Sequence, residues 1–191
     1  MSAARRLLCL LAACTAFLAA AGDAFPAGGH YVFAGGSPEA RLQVRAALDR
    51  SAFDWDVVPG PITIRITDCG CAGSRPGEVV LDERLLTASP LGPRYAWGIV
   101  QHEYAHQLDF LVLDQADRYR LSRRFGARAW CTDVAGFRHD DYGCERFATL
   151  VAWAYWRSAA NVQRPDWRPA AAPTLRRAAV RAFVARLLAS S

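Results

Sequence analysis

His102-Glu103-Tyr104-Ala105-His106 lies inside a segment, Tyr95 to Leu113, whose apolar residues return at helical spacing. Residues four apart on a helix stand about 40° apart around its axis, so both imidazoles leave one face and can meet a single ion, with Glu103 close beside them. Ile99, Val100, Ala105, Leu108, Leu111 and Val112 surround the motif and give the helix a buried character. A buried helix that displays His, Glu and His with nothing to bind carries an uncompensated polar cost, which a divalent metal removes. Imidazole nitrogens suit Zn²⁺, one per chain. Two of them with a third ligand leave a position for water, the coordination of a catalytic site. The alternative is two surface histidines and a solvated glutamate.

Outward from that helix the chain divides into two halves. Upstream, His30 to Ala34 and the alternating Ile62-Thr63-Ile64-Arg65-Ile66-Thr67 predict short strands. Glu78 to Asp82 predicts another, reached through a Gly/Ser/Pro-rich loop at Ala72 to Gly77. Ser37-Pro38-Glu39 offers an N-cap and a first-turn proline for a helix reaching about Ser51. Downstream, helical spacing predominates in Gln115 to Phe125, Glu145 to Ser158 and Thr174 to Leu188. A small N-terminal mixed β-sheet packed on a helical half is the α+β class, with no internal repeat and a single domain over residues 25–191.

The 191 residues are 52% hydrophobic and 21% charged, which excludes a disordered or collagen-like chain and supplies a core that needs no metal or disulfide to fold. All 23 basic side chains are arginine, a pattern of GC-rich coding, since a basic functional surface has no reason to exclude lysine. Arg5 and Arg6 precede an uncharged run from Leu7 to Ala21 that ends in three alanines. At about 15 residues this run falls short of the 20 or so that span a bilayer and reads as a signal peptide over residues 1–21, cleaved after about residue 21 or 24. Its removal lowers the net charge from +5 to +3. A secreted or extracytoplasmic monomer with no transmembrane span follows, and no nucleic-acid partner is expected. A lipid anchor at Cys14, from Leu11-Ala12-Ala13-Cys14, is the alternative.

Four cysteines remain beyond the leader, and an even number in an exported chain reads as two disulfides. Cys131 with Cys144 closes a short loop, leaving Cys69 with Cys71 in a tight local ring; a crossed arrangement competes with this pairing. A structural zinc on the four thiols lacks the usual ligand spacing.

The third metal ligand must come from outside the motif. Val112 stands where an extended H-E-x-x-H-x-x-G-x-x-H pattern needs histidine, so that class is excluded. Glu145, His139 and an aspartate among Asp109, Asp140 and Asp141 are the candidates. Glu145 leads them, because it opens a helical run that would otherwise bury an acid beside aromatics; a first-turn acid held by the helix dipole is its alternative role. A Cys131–Cys144 bridge would fix where that helix starts and where the carboxylate points.

His102-Glu103-Tyr104-Ala105-His106 with Gln107-Leu108-Asp109, followed by Glu145-Arg146-Phe147-Ala148 on a later helix, resembles the gluzincin class of zinc metallopeptidases, particularly the small exported ones of GC-rich bacteria. The likeness covers roughly residues 92–156. It implies a zincin-like fold, a peptide or protein substrate, His102, His106 and Glu145 as zinc ligands, and Glu103 as the general base acting on a zinc-activated water. In that class the glutamate helix often carries an Asp four residues on that supports a zinc histidine. Thr149 stands there instead, and a hydroxyl can accept the imidazole N–H without adding charge. The class also places a strand, antiparallel to bound substrate, just before the active helix, and Glu78 to Asp82 resembles it. Tyr142 and His139 are candidate donors to the oxyanion, and Asp109 and Asp114 candidate supports for the histidines, with ordinary exposed acids as the alternative. Trp153-Ala154-Tyr155-Trp156 reads as core packing, and the arginines of the last helix as a solvated face. The competing functional reading is an exported, zinc-stabilised binding module that uses its aromatic or basic surface. Thiol-disulfide exchange at Cys69-Gly70-Cys71 lacks the expected βαβ context.

Overall fold

The computed structural model describes residues 30–131, 134–166 and 176–189. The predicted leader and Cys14 lie outside them, and among the described residues no helix is long and apolar enough to cross a membrane.

The alternation at Ile62–Thr67 produces strand β2, with Ile62, Ile64 and Ile66 buried on one face and Arg65 exposed on the other. It is flanked in parallel by β1, Tyr31–Gly35, and β4, Glu78–Asp82. A fourth strand, β3 at Ala72–Arg75, pairs antiparallel with β4 and forms the sheet edge, giving the order β1-β2-β4-β3. Ala72 to Gly77 was expected to be loop throughout, because Ala-Gly-Ser has little strand preference. Tertiary pairing overrides that preference: the chain turns at Pro76-Gly77, with Gly77 at φ 76°, and folds β3 back onto β4.

Helix α1, Pro38–Asp49, starts where the sequence placed it, with the Ser37 hydroxyl accepting from the Ala40 N–H at 3.2 Å. It buries Ala40, Val44, Ala47 and Leu48. A short helix not anticipated, α2 at Glu83–Thr87, follows β4 directly because the Asp82 carboxylate caps it through the Leu85 N–H. The long helix α3, Pro93–Leu111, begins two residues before the periodic pattern, since Pro93 fits a first helical turn. Helix α4, Gln115–Phe125, runs between an Asp114/Asp117 capping box and Gly126 in the left-handed conformation. Helix α5, Gly143–Tyr155, stops short of the predicted Ser158 because the Asn161 carboxamide donates to the carbonyls of Ala152 and Trp156. Helix α6, Arg177–Leu188, packs on α5.

Helix α3 is the centre of the molecule, packed against α5, α1 and β3 at once. Its Tyr104 is fully buried and meets the Trp55 ring edge-on at 5.2 Å. Trp156 is buried while Trp153 and Tyr155 pack against the core, so the aromatic run is interior packing. Both expected disulfides are present, Cys69–Cys71 and Cys131–Cys144.

Candidate metal centre

His102 and His106 project one turn apart from α3 toward the first turn of α5. Three features set where α5 begins. The Gly143 N–H donates to the Ala129 carbonyl at 2.8 Å, the Trp130 ring lies where a Cβ on Gly143 would stand, and the Cys131–Cys144 bridge ties the same turn to the preceding loop. Glu145, third in the helix, therefore faces α3. It serves as a first-turn acid and meets the histidines as well.

Glu145 Oε2 lies 3.0 Å from His102 Nε2 and 3.2 Å from His106 Nε2, and the two Nε2 atoms are 3.2 Å apart. Three donors bound tetrahedrally to Zn²⁺ at its usual ligand distances would stand about 3.3 Å apart. The measured triangle therefore fits that ion. Both histidines are buried, and burial drives the Glu145 carboxyl upward. Hydrogen bonds from His102, His106 and His139 overcome this and hold it well below the usual carboxylate range. Burial likewise pushes His106 down, but its bond to Glu145 wins and raises it. The cluster thus carries an ionised carboxylate wrapped in imidazoles, a donor set of nitrogen and oxygen that suits zinc.

The structure brings some of the other candidates together and separates the rest. His139 Nε2 lies 2.8 Å from Glu145 Oε2, and its bond to that carboxylate raises its pKa; its ring stacks on His102 while its side chain is 72% exposed. Thr149 Oγ1 lies 3.3 Å from His102 Nδ1 and 3.5 Å from Gln163 Oε1. This permits a directed chain, in which the His102 N–H donates to the hydroxyl and the hydroxyl to the amide, leaving Nε2 free to ligate. Asp109 is not an exposed acid: it is 1% exposed, accepts from Arg118 Nε at 2.8 Å and Trp130 Nε1 at 2.9 Å, and lies within 4.8 Å of His106. Asp114, by contrast, is spent on capping α4.

Tyr142 does not reach the site. Its hydroxyl accepts from the Val134 N–H at 3.0 Å, held there by the loop. Asp140 and Asp141 are not ligands either, being paired with Arg138 and Arg128. The strand order beside α3 also differs from expectation. Glu78–Asp82 is an interior strand, and the free edge belongs to β3.

Two residues that the sequence did not single out as functional complete the site. The Ser74 hydroxyl, on β3, lies 2.7 Å from the Glu103 carbonyl and 3.0 Å from its carboxylate Oε2, within donating reach of either with its one proton. Gln107, fully buried, fastens the β3–β4 turn to α3: it accepts from the Gly77 N–H at 2.9 Å and donates to the carbonyls of Arg75 and Glu78 at 3.0 and 3.1 Å. The Pro76-Gly77 turn was the one local signal for this hairpin. A cavity of about 310 Å³ opens over the cluster, lined by Gly73, Ser74, Glu103, His106, His139 and Glu145 among others. No family model, curated protein or solved structure matches the chain.

Proposed function

We propose that this chain is a secreted, zinc-dependent peptidase of zincin-like fold, with His102, His106 and Glu145 as metal ligands and Glu103 as general base. The observation that carries the reading is the near-equilateral triangle of two Nε2 atoms and one Oε2, with Glu103 and an open cavity beside it. Bound there, Zn²⁺ would supply Lewis acidity toward the scissile carbonyl and the attacking water.

The chain's own residues perform the remaining tasks. Glu103 takes a proton from water as the C–O bond forms and delivers it to the amine nitrogen as the C–N bond breaks. With its proton turned to Oε2, Ser74 would hold the Glu103 carboxylate by one oxygen and leave the other for water. The free edge of β3 offers backbone N–H and C=O groups to an extended peptide, which would lie across the cavity mouth. His139, exposed at the rim, is the nominee for donating to the oxyanion.

Glu103→Gln tests the assignment. The variant should bind one equivalent of zinc, measured by metal analysis after dialysis, and lose hydrolysis of casein or a peptide library. Cleavage at the parent rate would refute Glu103 as base. One equivalent of zinc with no turnover by the parent would favour the binding-module reading.

A further inference from the structure

A second cavity, of about 560 Å³, opens at the amino-terminal end of β3 and is lined by Cys71, Leu85, Ala88, Leu91, Tyr95 and Ile99. Ala72 borders both this cavity and the one over the histidine cluster, so the two adjoin at the start of β3. Its rim carries Asp82 and Arg84, yet neither charge is free. Asp82 accepts backbone N–H groups from Cys69, Gly70 and Leu85, and Arg84 pairs with Asp68 at 2.6 Å. What remains for a ligand is apolar wall, with Leu91 69% exposed.

The position of this wall relative to the cleaved bond can be read from α3. Helix and edge strand run side by side in the same direction: Ala72 and Ile99 border one cavity, Ser74 meets Glu103, and Gly77 meets Gln107. Tyr95, Ile99 and Glu103 stand four apart and share a face. At a rise of about 1.5 Å per residue, Ile99 and Tyr95 lie roughly 6 and 12 Å from Glu103 along the axis. An extended peptide advances about 3.4 Å per residue, so this stretch corresponds to two to four residues. A peptide added to β3 pairs more stably antiparallel, which directs its carboxyl-terminal side toward Ala72 and the second cavity.

We infer that this cavity is a specificity subsite that takes an apolar side chain two to four residues C-terminal to the cleaved bond. The inference rests on the peptidase reading and deepens it. It also gives the Cys69–Cys71 bridge a task, because that ring forms the rim where the substrate leaves the edge strand.

The test walks a single Leu or Asp from four residues before to four residues after the scissile bond in internally quenched peptides, using zinc-loaded protein. Leu should be preferred over Asp by about tenfold in kcat/KM at one or more of the positions two to four residues after the bond. Leu91→Asp should reduce that preference to less than about threefold. A preference confined to the amino-terminal side, no preference, or a preference unchanged in Leu91→Asp would each overturn the subsite. If the parent hydrolyses no peptide, the peptidase reading itself fails, and binding of the same peptides to Glu103→Gln, followed by tryptophan fluorescence, still decides the subsite. Leu peptides bound no more tightly than Asp peptides would overturn it.

Discussion

Replacing Gln107 by Leu is the most direct probe of how Glu103 and the edge strand are held in register. The side chain makes three hydrogen bonds, at 2.9, 3.0 and 3.1 Å, to backbone groups of the β3–β4 hairpin, and is fully buried. Leucine keeps much of the volume and removes every bond. A net contribution of about 1 kcal/mol per bond makes the loss about 3 kcal/mol, a large part of a typical total of roughly 5–15 kcal/mol. For a chain of this length such a loss corresponds to a fall in Tm of about 10 °C. Urea unfolding followed by tryptophan fluorescence would measure it, and amide exchange would show the β3 and β4 amides that pair the hairpin losing protection before those of β1 and β2 do. On the functional side, a displaced Ser74 would leave Glu103 less constrained, so turnover should fall while zinc stoichiometry stays at one. A stability loss below about 1 kcal/mol, or unchanged exchange in β3, would refute the view that this amide anchors the hairpin.

Three further outcomes follow from the same geometry. Ser74→Ala should lower kcat by about 10- to 100-fold with KM and zinc affinity nearly unchanged, and Ser74→Thr should restore part of the loss; steady-state kinetics with chelator competition separates the effects. Converting Cys131 and Cys144 together to Ala should cost about 3 kcal/mol in denaturant unfolding and also weaken zinc binding, because the bridge locates the first turn that carries Glu145. Zinc uptake should weaken on acidification from a pH above the ordinary histidine value of 6.5, because Glu145 holds a proton on His106 despite burial. The same shift gives the metal-free chain stability that is present below the ordinary histidine value and is lost as pH rises through the raised one. Metal-free and zinc-loaded protein should therefore show opposite pH trends in Tm.

The parts of this molecule written in short-range pattern were legible from the residues alone. The three isoleucines of β2 mark a half-buried strand, and Ser37 with Pro38 marks the start of α1. The two-histidine face of α3 follows from helical geometry, and the Glu145 carboxylate meets it as the leading candidate would. What escaped depends on partners far along the chain. Ala72–Arg75 becomes a strand through pairing with β4, and Gln107 acts on backbone about thirty residues away with no neighbouring signal. Tyr142 was nominated from its proximity in sequence to the glutamate helix, and the loop at Val134 claims its hydroxyl instead.

His106 and Glu145 are separated by 39 residues, three times the 13 that separate Cys131 from Cys144. An ion gripped by both would be a cross-link in its own right, and a longer closed loop forfeits more freedom in the unfolded chain, here by roughly 1 kcal/mol beyond the sulfur bridge. Such a tether would span the contact between α3 and α5. Chelation would then loosen the grip of one half of the helical layer on the other and open it to proteolytic attack.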